Sequence, residues 1–222
     1  MNATKNGATE MGSASAHAKV AAAATAPANH STNHPAIGRP KLEIILAGFG
    51  GQGILFAGKV IAYAGLLEGR EVSWLPSYGP EMRGGTANCS VCLADEPIGS
   101  PLISIPDVLI ALNRPSLEAF INKVAIGGLV LADKSMADAC PLRPDIRFVQ
   151  IPATQLAEDN DLKGLANVIM VGKLLQLTAF ADRDILESAI DRSISAKRQE
   201  LASANKRALA IGCAHVSTED CR

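Results

Sequence analysis

The sequence Leu42-Glu43-Ile44-Ile45-Leu46-Ala47-Gly48-Phe49-Gly50-Gly51-Gln52-Gly53-Ile54-Leu55 constrains the fold more than any other stretch. An apolar run ends in four glycines within six residues, and a second apolar run follows at once. A buried strand that turns tightly into a helix has this pattern. Glycine permits positive φ there and leaves no Cβ in the way of a ligand or a crossing helix. Gly48, Gly50 and Gly53 fit G-x-G-x-x-G. The first N–H groups of the following helix lack intrahelical partners and form a seat for an anion. The same spacing also suits a purely structural turn, so the rest of the chain must decide between the two.

The remaining sequence extends this corner into an α/β domain. Expected strands are Leu42–Ala47, Glu71–Leu75, Thr86–Leu93, Pro106–Leu112, Gly128–Ala132 and Phe148–Ile151. Helices are expected from Gly53 to Leu67 and after Asn113-Arg114-Pro115-Ser116. The last third reads as helical. Ala166–Leu177 is apolar almost all round and so central, while Ile185–Ile194 and Leu201–Ile211 are shorter amphipathic pieces. Alternating strands and helices predict a Rossmann-like, mostly parallel sheet with helices on both faces. In such a sheet Gly48–Gly53, Pro76–Gly85, Asn113-Arg114, Asp133-Lys134 and Pro152–Thr154 gather at the carboxyl ends of the strands, where ligands bind.

Residues 1–40 differ in composition. They are rich in Ala, Asn, Thr, Ser, Gly and His and nearly lack large apolar side chains. Such a segment cannot bury enough surface to offset ordering, and it reads as a disordered extension before a domain over 41–215. It has no apolar secretory core, and its scarcity of arginine is unlike a transit peptide. A net charge of −1 gives no basic surface for nucleic acid, and no run reaches the ~18 apolar residues of a membrane span. Five cysteines, at 89, 92, 140, 213 and 221, do not space like a disulfide scaffold. A reducing, cytoplasmic setting follows.

Several functional motifs can be tested on the sequence. A nicotinamide-binding unit needs an acidic residue at the end of its second strand, about 20 residues after the glycines. Here that strand ends Trp74-Leu75-Pro76-Ser77. Cys89-Ser90-Val91-Cys92 spells C-x-x-C, but positions i and i+3 of a strand face opposite sides, so buried inert thiols are expected rather than a metal site. The four histidines, at 17, 30, 34 and 215, lie outside the core, so no histidine triad arises there. Asp133-Lys134 reads as an ion-rich turn, and Asn167 as a buried amide bonded to nearby backbone. The loop Ser77–Gly85 holds Tyr78, Glu81 and Arg83 among glycines. Arg83 followed by Gly84-Gly85 suits a clamp for an anion or carboxylate. Pairing of Arg83 with Glu81 to fix the loop is the structural alternative, and a docking surface for a partner is the third.

Gly48-Phe49-Gly50-Gly51-Gln52-Gly53, Ser77-Tyr78-Gly79-Pro80-Glu81-Met82-Arg83-Gly84-Gly85-Thr86-Ala87, Ile151-Pro152-Ala153-Thr154 and Ala166-Asn167-Val168-Ile169-Met170-Val171-Gly172 occur in that order. Together they resemble the γ subunit of 2-oxoacid:ferredoxin oxidoreductases over residues 41–212, most closely the 2-oxoglutarate or branched-chain (2-oxoisovalerate) type. The resemblance implies a chain without catalytic residues of its own. It would complete an enzyme that interconverts a 2-oxoacid, coenzyme A and oxidised ferredoxin with acyl-CoA, CO2 and reduced ferredoxin. Thiamine diphosphate, Mg and iron–sulfur clusters then belong to partner subunits: the α and β chains and a small ferredoxin-like δ chain. On this reading Gly48, Gly50, Gly51, Gln52, Gly53, Ser77, Tyr78, Glu81, Arg83, Gly84 and Gly85 form a partner interface or border the approach of coenzyme A, and the Gln52 amide bridges to a neighbour. The alternative is a free-standing Rossmann-like protein that binds a nucleotide or coenzyme A. Arg83→Ala is expected to impair assembly or raise the KM for coenzyme A while leaving the melting temperature of the chain nearly unchanged; a large loss of thermal stability with normal kinetics would make Arg83 purely structural.

Overall fold

The computed structural model describes residues 41–77, 86–137, 143–195, 198, 200–216 and 220–221. Among the described residues, seven strands form one sheet in the order β2-β3-β1-β4-β5-β6-β7. They are β1 (Leu42–Phe49), β2 (Glu71–Ser77), β3 (Thr86–Ala94), β4 (Val108–Ala111), β5 (Leu129–Asp133), β6 (Arg147–Ile151) and the two-residue β7 (Asp220–Cys221). Six α-helices accompany them: α1 (Ile54–Leu67), α2 (Arg114–Phe120), α3 (Ala153–Asp159), α4 (Ala166–Thr178), α5 (Arg183–Ser193) and α6 (Glu200–Ala214). A 3-10 turn, Ile121–Lys123, extends α2.

β1, β4, β5 and β6 run parallel, as the alternation of elements predicts. β3 departs from it by lying antiparallel between β1 and β2. The reason is the connection: a parallel return needs a crossover of about a dozen residues or more, usually with a helix. The link from Ser77 to Thr86 is too short for that, so the chain comes straight back. β2 nonetheless points the same way as β1, and its end reaches the same edge. Two elements had no clear sequence signal. One is α3, which starts inside Pro152-Ala153-Thr154, and the other is β7, antiparallel to β6. α6, expected as a short piece, is the longest helix at 15 residues.

Helices cover both faces unequally. On one face Ile44, Leu46, Val91, Ile110, Leu131 and Ile151 pack against α1, α3, α4, α5 and α6. On the other, Ile45, Ala47, Leu109, Ala111, Val130 and Ala132 meet chiefly Leu117 of α2, with Ile121 and Val124 just after it. α4 is the central helix, with Asn167 through Leu175 buried without interruption. The pleat separates the two cysteines of the C-x-x-C. Cys89 lies opposite Leu46 in the larger core, and Cys92 opposite Glu43 faces the other way. Burial raises the Cys89 thiol to about 12, so it stays protonated and inert.

α4 and α6 touch backbone to backbone at Gly172 and Gly212. A Cβ on Gly172 would overlap the carbonyl of Leu209, and one on Gly212 that of Ile169. The close approach brings Lys173, almost wholly buried, to the end of α6. There its Nζ donates to the His215 carbonyl at 2.9 Å and to Gln176 Oε1 at 2.6 Å. A cation at a helix C-terminus is favourable. Burial first, and then the Lys173 charge, lowers the His215 pKa. Gly212→Ala is expected to destabilise the domain by about 1–3 kcal/mol through overpacking, read as a lower midpoint of chemical denaturation. An unchanged midpoint would refute the close crossing.

Candidate functional site at the carboxyl edge of the sheet

β1, β2, β4, β5 and β6 all end at one edge, and the topology gathers the sequence landmarks there. β1 enters the glycine turn, where Gln52 N–H donates to the Phe49 carbonyl at 3.1 Å. Gly51 (φ +98°) and Gly53 (φ +72°) occupy the left-handed region that L side chains avoid. Gly50 and Gly51 are exposed. Gly53 is the N-cap of α1, and no side chain caps that helix. Gly48 instead has a packing role: a Cβ there would meet Ile54 and the Gln52 side chain.

Gln52 turns inward. Its Oε1 accepts from Phe49 N–H at 2.6 Å and from Asn113 Nδ2 at 2.9 Å, and its Nε2 donates to the Leu112 carbonyl at 3.0 Å. One amide thus ties the end of β1 to the end of β4. The neighbours that the Gln52 amide bridges to are thus Leu112 and Asn113 of the same chain. Asn113 completes the network. Its Oδ1 accepts from Ser116 N–H at 2.9 Å and so caps α2.

Two further side chains join elements at this edge. Asp133, fully buried at the end of β5, accepts from Ser135 N–H (3.1 Å), Thr154 N–H (3.1 Å) and Thr154 Oγ1 (2.5 Å). It therefore caps α3 across the sheet and does more than form a local turn. Asn167, 3% exposed, donates from Nδ2 to the Gly53 carbonyl at 2.9 Å. This is the bond to neighbouring backbone expected of it, and it links the first turn of α4 to the start of α1. Its Oδ1 is buried and has no hydrogen-bond partner among the described residues.

Of the loop residues, Ser77 ends β2, exposed, in register with Asn88 of β3 at the same edge. Tyr78, Glu81, Arg83, Gly84 and Gly85 lie outside the described residues. The β2 end offers Leu75-Pro76-Ser77 and no carboxylate for a ribose. Among the described residues, no group of three or more His, Cys, Asp or Glu is placed to hold a metal ion. No helix among them is long and apolar enough to cross a membrane.

Sequence reasoning alone did not pick out Asn113 and Thr154 as partners. A sequence signal existed for each: Asn113 precedes Pro115-Ser116 as a helix cap, and Thr154 follows a strand at a helix start.

The model for the pyruvate ferredoxin/flavodoxin oxidoreductase family matches residues 43–214. The chain belongs to this family. It is 38% identical over 174 residues to the ketoisovalerate oxidoreductase subunit VorA of Methanothermobacter thermautotrophicus, covering 78% of this chain and 36% of VorA. It is 36% identical over 162 residues to the 2-oxoglutarate synthase subunit KorC of Methanocaldococcus jannaschii, covering 71% of this chain and 86% of KorC. The chain thus spans about a third of the length of the VorA relatives but most of KorC. The same fold occurs in the keto/oxoacid ferredoxin oxidoreductase γ subunit of Geobacter sulfurreducens (TM-score 0.67, 24% identity, 77% of this chain and 95% of that one). It also occurs in the 2-oxoglutarate:ferredoxin oxidoreductase of Magnetococcus marinus, solved with 2-oxoglutarate, coenzyme A and succinyl-CoA bound. There the TM-score is 0.71 at 24% identity, over 82% of this chain and 32% of that one.

The clamp at the edge of this family domain generates a direct test. Gln52→Leu keeps the volume roughly but strands Phe49 N–H, the Leu112 carbonyl and Asn113 Nδ2. A loss of about 1–3 kcal/mol is expected in equilibrium unfolding. Wild-type stability in this variant would show that the amide is not a clamp.

Proposed function

We propose that this chain is the γ subunit of a thiamine-dependent 2-oxoacid:ferredoxin oxidoreductase of the 2-oxoglutarate or 2-oxoisovalerate type. The observation that carries the proposal is the match to KorC over 86% of that subunit's length, in a domain of the same fold as an isolated γ subunit. VorA and the Magnetococcus enzyme support it from another side, since in both this domain corresponds to about a third of a longer chain. A separate KorC-sized chain would meet the rest of the enzyme through non-covalent contacts.

On this reading the enzyme converts a 2-oxoacid and coenzyme A into acyl-CoA and CO2 and passes electrons to ferredoxin in the cytoplasm. Thiamine diphosphate, Mg and the iron–sulfur clusters reside on the α, β and ferredoxin-like δ chains. The exposed glycines at 50 and 51, Ser77 and the Tyr78–Gly85 loop face those chains or the path of coenzyme A. The Gln52, Asn113 and Asp133 contacts act behind that edge by holding its strands and helices in place. Folding residues 1–40 into this role is unnecessary, since the family match begins at residue 43.

The test is affinity purification of the tagged full chain from its native cells. Chains that bind thiamine diphosphate should co-purify, with coenzyme A-dependent reduction of ferredoxin by 2-oxoglutarate or 2-oxoisovalerate. Elution of the chain by itself, with no thiamine-dependent activity in any fraction, would defeat the proposal.

A further inference from the structure

We infer that the outer face of α1 is a docking surface for another chain of the same enzyme, one that brings a carboxylate to Lys59. α1 has 14 residues, Lys59 as its one charge and no acid. A helix that is apolar all round is ordinarily covered all round. On its inner sides this one packs against β1, β2, β3 and α5. Leu55, Lys59, Tyr63 and Leu66 recur at steps of four, four and three residues and so share one remaining stripe. Leu55, Lys59 and Tyr63 are half-buried, and Leu66 is 55% exposed. Trp74, 38% exposed on the edge strand β2, lies against the same helix, since a Cβ on Gly58 would stand 3.1 Å from its Nε1. Large rings and leucines grouped on a surface are the composition of an interface core.

The charge decides what covers the stripe. Lys59 Nζ stands over the Tyr63 ring at 5.4 Å, and among the described residues it has no carboxylate partner. Covering a lone ammonium is costly unless the covering surface supplies the counter-charge. A second copy of this chain does not supply it. A two-fold contact lays the same patch on itself. Lys59 sits near the middle of a helix without acids, so it would face its own copy. The occupant is therefore a different chain, whose apolar surface carries an Asp or Glu. The stripe starts in the first turn of α1, just after the exposed Gly50 and Gly51, and so continues the edge proposed for partner chains along the flank of the domain. The stripe and its lone cation are read from this chain, whereas naming the occupant as an α or β chain of the oxidoreductase rests on the proposed function.

The experiment binds the full chain to the α and β chains that co-purify with it and reads the dissociation constant by biolayer interferometry. Leu66→Asp and Lys59→Met should each weaken assembly by about tenfold or more, with the melting temperature of the free chain unchanged. Lys59→Met keeps the length of the side chain and removes its charge, so it separates a matched ion pair from simple apolar contact; Lys59→Arg should bind as the wild type does. Hydroxyl-radical labelling of the wild-type chain gives a readout that needs no variant: Tyr63 and Trp74 should become protected on assembly. The inference is overturned by wild-type affinity in Leu66→Asp or Lys59→Met, or by labelling that does not change on assembly. It is also overturned if the free chain sediments as a dimer that Leu66→Asp dissociates, which would make the occupant a second copy. Absence of any thiamine-binding chain from the purification defeats the γ-subunit reading itself, whereas assembly that ignores these substitutions defeats only the docking surface.

Discussion

The hydrogen bonds of the Gln52 amide are the constraint on which the functional edge depends. β1 has to turn into α1 within a few residues, and the turn leaves backbone groups of Phe49 and Leu112 at the end of the sheet. In a buried setting each such group must find a partner. A single primary amide supplies an acceptor and a donor at once, so it satisfies both strands and fixes their relative height. Asn113 then transmits that position to α2. Asp133 does the same for β5 and α3, and Asn167 for α1 and α4. The β1–β4 and β5–β6 junctions at this edge are thus each joined by a polar side chain. The ends of these strands and helices are therefore held together by polar contacts from within the domain.

The uneven cover of the sheet has a different origin. Five helices fit on one face only because α4 and α6 approach at glycines. Gly172 and Gly212 remove the side-chain layer between them, so α6 lies directly against α4. A buried lysine is tolerated there because the carbonyl end of α6 and Gln176 solvate its charge. The other face carries one short helix, and antiparallel β3 and β2 extend the sheet beyond it.

The relatives give these features a setting. The domain corresponds to most of KorC and to about a third of VorA. Within this chain the Gln52 side chain is spent on joining the ends of β1 and β4.

What the sequence determined by itself was largely local or periodic. The run Leu42–Ala47 followed by glycines specified a strand, a tight turn and a helix, since glycine takes up the left-handed backbone of residues 51 and 53 without steric cost. The uninterrupted apolar stretch 166–177 specified a central helix. Alternating elements specified a mostly parallel sheet, and strand pleating specified that Cys89 and Cys92 part company. The ordered motifs pointed to the family through all of these. Pairings distant in sequence were decided only in three dimensions. The antiparallel insertion of β3, the partners of Gln52 at residues 112 and 113, the capping of α3 by Asp133 and the meeting of Gly172 with Gly212 join positions 21 to 61 residues apart. No local propensity encodes such contacts; they arise when packing brings unsatisfied polar groups and bare backbone to the same place.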